Sequence, residues 1–384
     1  MRIASWPAVV AVALIAGVVP GAATTAAAAS AAGPAAARAG AVTNDDFALN
    51  AVSADSSSDA WAVGDGDTVL RWDGTSWTQV SLPGSQYSYS LNAVDALSPS
   101  DVWAVGTEGS SSPLLSETLI MHWDGTGWTQ VPSPGPSSSN LIPTLNYLSM
   151  DSATDGWAMG DVYNRTTGGF TTLVAHWDGT SWQQVTAKAK FAFRGVASFS
   201  PAAATAVGAI QTGEHTFSPT VAYQWNGTSW ARTATLHAPS GVSASSAFVI
   251  GLSADSATDM WAIGGDPSGN LVWHWNGTHW TVKAVISPNG TAGLLGVAAI
   301  SSTDVWTVGY TNAAKDQQTV SLHWNGTGWT HVTTPDPGTE NAVLNGVAAA
   351  GSSVWAVGSY NTGPQQSEPH TLILSWNGTS WVRS

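Results

Sequence analysis

Apolar and polar residues alternate along this chain in short bursts, and the bursts recur in a fixed order. The first set reads Leu49-Asn50-Ala51-Val52, then Ala60-Trp61-Ala62-Val63-Gly64, then Val69-Leu70-Arg71-Trp72, then Trp77-Thr78-Gln79-Val80. Val, Ile, Thr and Trp suit a pleated, half-buried surface, and Gly, Asn, Asp, Ser and Pro break the bursts at roughly ten-residue spacing. No window keeps an amphipathic helical period. Each set predicts four short strands, A to D.

Tryptophan marks the copies. The phrase around Trp72 and Trp77 returns at Trp123/Trp128, Trp177/Trp182, Trp225/Trp230, Trp275/Trp280, Trp324/Trp329 and Trp376/Trp381, its first Trp advancing by 51, 54, 48, 50, 49 and 52 residues. Upstream, Asp-x-Trp-Ala-Val-Gly or a near copy stands at Trp61, Trp103, Trp157, Trp261, Trp306 and Trp355, with Thr205 in the fourth copy. Of 22 Trp, 20 occupy these slots. Asp-Gly or Asn-Gly between C and D supplies the positive φ a tight hairpin needs, and Asp59, Asp101, Asp155, Asp259 and Asp304, two residues before a strand B Trp, are read as turn-formers, with Ala203 and Ser353 in the other two copies.

A period near fifty residues with four antiparallel strands per copy predicts an all-β fold, a seven-bladed β-propeller with four antiparallel strands per blade. The blades are expected at about 47–82, 90–133, 144–187, 193–234, 248–285, 294–334 and 343–384. The indoles then read as cement between neighbouring blades, each able to bury roughly 150–250 Å². Blade four, with Ala203 and Thr205 where others carry Asp and Trp, is expected to have the softest junction unless neighbours fill the space.

Ahead of the repeats, Arg2 and an apolar run from Ala8 to Val19 lead into an Ala-rich tract. The run is too short to span a bilayer, so 1–29 reads as a signal peptide and 30–46 as an Ala-rich linker, which makes the protein secreted and extracellular without a membrane span. Omitting Arg2 and Arg38 leaves 9 basic residues against 25 acidic ones, an excess that argues against nucleic acid as a partner. With no cysteine, disulfides and thiolate chemistry are excluded. The chain is read as a monomer.

The phrases Asp-Val-Trp-Ala-Val-Gly (101–106) and His-Trp-Asp-Gly-Thr-Gly-Trp (122–128) resemble the repeats of secreted bacterial β-propellers of the kelch and galactose-oxidase-like group, over residues 47–384. The C–D turn Asp73-Gly74-Thr75 with Trp77 is similar to the Asp-box of sialidases, where the box is structural. The paired Trp also look like repeats of seven-bladed bacterial lectins, whose sugar pockets lie between blades. These likenesses imply a fold; propellers host many unrelated activities.

Catalytic chemistry finds little support. The arginines needed to grip a sialic carboxylate are few, with Arg71, Arg165, Arg194, Arg232 and Arg383 beyond the linker. His122, His176, His274 and His323 precede a turn Trp on separate blades, too far apart to share a metal at about 2 Å, and are read as packing residues in a slot that accepts any polar group. The strand B carboxylates are likewise spread around the ring, whereas glycosidase acids stand roughly 5–9.5 Å apart. No catalytic residue, cofactor or metal is assigned. Asn-Gly-Thr sequons such as Asn226 and Asn276 are read as turn geometry.

Function is expected where the loops vary, on the face carrying the B–C and D–A connections. The B–C loops bring Tyr163, Asn164 and Phe170 in blade three, His215 and Phe217 in four, Tyr310, Asn312, Lys315 and Asp316 in six, and Tyr360, Asn361, Gln365 and His370 in seven; blades one and five have short loops. Tyr163, Phe170, Tyr310 and Tyr360 are the candidate ligand-binding residues. The leading reading is a secreted non-catalytic binding module for extracellular glycan or cell-envelope polysaccharide. Alternatives are a glycoside-acting or lyase enzyme with its site at the axial mouth, and an extracellular scaffold for a cell-surface protein.

Overall fold

The computed structural model describes residues 47–84, 88–109, 116–186, 191–211, 217–238, 247–266, 269–284, 292–313, 316–335, 337, 341–362 and 369–384. The proposed signal peptide and linker, and His215, Lys315 and Gln365, lie outside them. Every described element is a strand, and among the described residues no helix is long and apolar enough to cross a membrane.

Seven repeat units follow one another. Unit one holds β1 (Leu49–Ser56), β2 (Asp59–Gly64), β3 (Val69–Trp72) and β4 (Trp77–Gln79); unit two holds β5 (Ser88–Ser98), β6 (Asp101–Gly109), β7 (Ser116–Trp123) and β8 (Trp128–Gln130). Unit three is β9 (Leu141–Ser152), β10 (Asp155–Asn164), β11 (Phe170–Trp177) and β12 (Trp182–Gln184); unit four is β13 (Phe191–Ser200), β14 (Ala203–Gln211), β15 (Phe217–Trp225) and β16 (Trp230–Thr235). Unit five is β17 (Phe248–Ser256), β18 (Asp259–Asp266), β19 (Gly269–Trp275) and β20 (Trp280–Ala284). Units six and seven run through β21 (Ala292–Ser301), β22 (Asp304–Ala313), β23 (Asp316–Trp324), β24 (Trp329–His331), β25 (Asn341–Ala350), β26 (Ser353–Asn361), β27 (His370–Trp376) and β28 (Trp381–Arg383).

Hydrogen bonding corrects the expectation of seven separate blades. Five blades stand as independent four-stranded antiparallel sheets, units one to five. Residues 292–383 form one eight-stranded sheet instead. The cause is local. The β22–β23 hairpin stays paired out to Ala313 and Asp316, long enough to lay Gln317 beside Asn341 in a parallel bridge, and Asn341 Oδ1 accepts the Gln317 N–H at 3.1 Å.

The first strands of the units, β1, β5, β9, β13, β17, β21 and β25, lie side by side in chain order, and β25 returns to β1. They form the inner wall of a propeller ring. Each terminal unit is built from consecutive strands, so closure rests on contacts between units. Across the seam Asn345 Nδ2 donates to Leu49 O at 2.8 Å and Thr371 Oγ1 to Phe47 O at 2.8 Å.

Indoles bind the units together as expected. Trp61 is fully buried, with Trp123 and Trp128 of unit two at 5.0 and 5.3 Å between ring centroids. Trp103 meets Trp177 and Trp182, Trp157 meets Trp225 and Trp230, Trp261 meets Trp324 and Trp329, and Trp306 meets Trp376 and Trp381. Tilted and edge-on geometry predominates, which places the positive ring edge of one indole against the negative face of another. At the seam the pair Trp72–Trp355 opens to 6.5 Å.

The Asp and His positions are partners, and this corrects their reading as separate turn-formers and fillers. His122, His176, His274 and His323 each donate Nε2–H to the strand B carboxylate, Asp101, Asp155, Asp259 and Asp304, at 2.8–2.9 Å. Each imidazole also stacks on the strand B indole at 4.2–4.3 Å. In unit one Arg71 takes the same place, 2.7 Å from Asp59 and 5.0 Å above Trp61. The carboxylate therefore holds a cation or imidazole flat against the interblade Trp. Where Asp is lost, as Ala203 and Ser353, the partner is lost with it, as Gln224 and Ser375. Replacing Asp155 by Ala should cost about 1–3 kcal/mol, because its buried acceptor also serves Ser198. Asp304, with its side chain 43% exposed, should cost less than about 1 kcal/mol by the same change. Parallel urea titrations of the two variants would show that order or refute it.

Candidate functional site: the axial mouth

Every inner strand slips register near its start, stepping over one residue: Asn50, Asn92, Asn146, Arg194, Ile250, Leu295 and Asn345. The strand B glycine opposite is fixed by this approach, since a Cβ on Gly106 would stand 1.9 Å from Ser90 O. These bulges lie at the end of the ring where B–C and D–A loops emerge, and those at Asn50, Asn92 and Asn345 turn their side chains to the adjacent inner strand. The result is a ring of seven residues around the axis.

Five of the seven are polar, and the amides among them are knitted together. Asn50 Nδ2 donates to Leu91 O at 3.0 Å, Asn92 Nδ2 to Leu145 O at 2.9 Å, and Asn345 closes the seam as described. Asn92 also reaches Asn146 Oδ1 at 3.2 Å. Asp65, at the end of β2, accepts from Asn50 Nδ2 at 3.2 Å and Ser90 Oγ at 2.6 Å. One unit further round, Arg194 lies 3.2 Å from Asp161 and contacts Tyr147. Burial raises the Asp161 carboxyl above its ordinary range, and the Arg194 charge opposes that rise. This pair sets a fixed donor beside a fixed acceptor.

The other part of the ring is apolar. Ile250 and Leu295 replace the amides, and Phe248, two residues before Ile250, is 45% exposed, the most exposed large hydrophobic side chain described. Its ring lies over Gly265, at the start of the short unit-five B–C connection. β17, which carries Phe248, lies directly beside β13, which carries Arg194.

The sequence-predicted residues fall in different places. Tyr163 and Phe170 face each other across β10 and β11 with centroids 4.9 Å apart, and Phe170 is 37% exposed. Tyr310 follows the strand B glycine of unit six and lies against Gly293, which places it at the axial mouth. Tyr360 is buried; its hydroxyl is bonded by Arg383, whose guanidinium sits 4.5 Å above the ring. The structure thus pairs Tyr163 with Phe170 and keeps Tyr310 and Tyr360 on separate units. Sequence reasoning missed Arg194, Asp161 and Phe248. Arg194 was visible as the one break to a basic residue in the Leu-Asn-x-Val pattern. Among the described residues, no group of three or more His, Asp or Glu side chains is arranged to hold a metal ion.

No protein-family profile matches the chain, and no curated protein sequence matches it. Its likeness is to solved structures. YCF48 bound to D1 peptide is 15% identical, with 85% of this chain and 93% of that one covered at a TM-score of 0.53. The WD40 β-propeller domain of Doa1 is 14% identical over 86% and 94% at 0.52. The GH74 xyloglucanase from Xanthomonas campestris is 13% identical over 87% and 58% at 0.51. These neighbours correct the kelch and galactose-oxidase-like resemblance drawn from the repeats, which rested on Trp and Gly positions that any hairpin of this geometry favours. At such identities the likeness shows a β-propeller fold and leaves the chemistry to this chain's own residues.

Proposed function

We propose that this protein is a secreted, non-catalytic binding module that holds an extracellular glycan at the axial mouth. The observation that carries the reading is an uncovered aromatic, Phe248, on the inner strand β17, which lies beside β13, the strand that carries Arg194 of the Arg194–Asp161 pair. A pyranose presents an apolar ring face and a rim of hydroxyls, and a site for it needs both surfaces side by side. Asp161 is engaged by Arg194, which suits a fixed hydrogen-bonding role better than proton transfer. The Tyr163–Phe170 pair offers a second aromatic surface on the same face.

A screen of cell-wall polysaccharides and oligosaccharides against residues 47–384, followed by calorimetry, tests this. Phe248→Ala should weaken a hit about tenfold, equivalent to ~1.4 kcal/mol, and leave the melting temperature unchanged. Binding that ignores Phe248 and both partners of the ion pair would remove the axial site. A peptide ligand is the second reading, favoured by the YCF48 neighbour's complex with a peptide. Saturable binding of peptides with no response to sugars would establish it instead.

A further inference from the structure

The C–D turns divide into two chemical classes. Units one to three carry Asp-Gly (Asp73, Asp124, Asp178) and units four to seven carry Asn-Gly (Asn226, Asn276, Asn325, Asn377). The geometry is the same in both. Asp73 Oδ1 accepts the Thr75 N–H, the Thr75 hydroxyl and the Ser76 N–H at 2.8, 2.7 and 2.8 Å. Asn226 Oδ1 accepts the matching three donors at 3.0, 2.9 and 2.9 Å, and Asn276, Asn325 and Asn377 repeat the pattern. The following glycines have φ between 86 and 91° in these four turns, against 87 to 93° in the Asp turns. All four Asn side chains are exposed.

Three donors converging on one amide oxygen have the arrangement from which an oxyanion hole is built. They draw electron density from Cγ, and they stabilise the charge that develops on Oδ1 when a nucleophile attacks that carbon. The next residue is glycine, whose nitrogen is the least hindered backbone nucleophile. We propose that the four Asn-Gly turns are self-activated deamidation sites that convert to the Asp-Gly form already present in units one to three.

The Gly nitrogen, after losing its proton to solvent, forms a bond to Asn Cγ; the Cγ–Nδ2 bond breaks and nitrogen leaves as ammonia. Water then opens the resulting cyclic imide, so that the net change is Asn plus water to Asp plus ammonia. Opening at the side-chain carbonyl regenerates the α-linked Asp turn. That product is tolerated, because Asp73, Asp124 and Asp178 make the same three bonds and are held ionised, their carboxyls lowered to about 2 chiefly by the Thr hydroxyl. Opening at the backbone carbonyl adds a methylene to the main chain and breaks the turn. Complete conversion adds four negative charges and makes all seven turns of this face alike.

Incubating the folded protein in mildly alkaline buffer, with peptide mass mapping over time, tests the proposal. The four turns should convert faster than the same segments excised as peptides. Thr228→Val, which removes one donor, should slow Asn226 about tenfold while the other three turns in the same molecule keep their rates. Conversion in the folded protein no faster than in the peptides would overturn self-activation. So would a Thr228→Val variant in which Asn226 keeps pace with the others.

Discussion

Trp273→Ala should destabilise the ring by about 3–5 kcal/mol, the expected range for removing a fully enclosed indole. Trp273 is one of two Trp outside the repeat slots, and it stands in β19 where other units place Leu70, Met121, Ala175, Tyr223, Leu322 or Leu374. It is completely buried in a cluster that joins Ala197, Val207 and Ala222 of unit four to Leu252, Ala254 and Met260 of unit five. Its Nε1–H donates to His237 O at 2.9 Å, so its polar edge is satisfied as well. This is the junction that lacks a strand B indole, Thr205 standing there instead. Trp275 and Trp280 of unit five contact each other at 5.8 Å, without the third indole seen at other junctions. Trp273 occupies the same interface from the opposite side. A loss below about 1.5 kcal/mol in denaturant titration would mean that other side chains hold units four and five together.

The repeats made the strands legible because strand identity depends on near neighbours. The four bursts of unit one coincide with β1 to β4, and the positive φ of Gly74 and its equivalents sits in the turn that Asp-Gly and Asn-Gly announce. The grouping of strands into sheets was not legible, since joining units six and seven turns on one bridge at the tip of a hairpin. The Asp–His partnership was written in the chain: Ala203 with Gln224, and Ser353 with Ser375, lose both members together. Treating each slot by itself concealed it. Phe248 gave no local sign, because the residues beside it in the chain do not fix its exposure, which depends on packing against distant segments such as Gly265. Arg194 and Asp161 stand 33 positions apart, on different units. Only ring closure of adjacent inner strands brings them into contact.

Asp95→Ser should raise stability above neutral pH by up to about 4 kcal/mol and flatten its dependence between pH 4 and 7. The inner strands are stitched by a buried acceptor that takes the N–H of the next unit: Ser53 from Ala96, Ser149 from Ser198, and Ser253 from Ala299, at 2.9–3.1 Å. In unit two this acceptor is Asp95, bonded to the Met150 N–H at 2.8 Å and 1% exposed. Burial pushes its carboxyl from 3.8 to about 7, with the nearby Asp101 adding to the rise and the Met150 N–H opposing it. The folded state therefore holds a proton that the unfolded chain gives up near pH 4. Stability from this group is full below pH 4, declines as pH rises toward 7 and stays low above it. At 1.36 kcal/mol per pKa unit the loss is about 4 kcal/mol. Serine keeps the acceptor and removes the charge, as its three sister positions show. Wild-type protein will share part of the slope with Asp55, Asp161 and Asp255, each raised chiefly by burial, and with Asp151, raised by burial and by Asp155. Unfolding midpoints at pH 5 and pH 8 decide the matter. If the variant is the less stable protein at pH 8, the carboxylate contributes more as a hydrogen-bond acceptor than its burial costs.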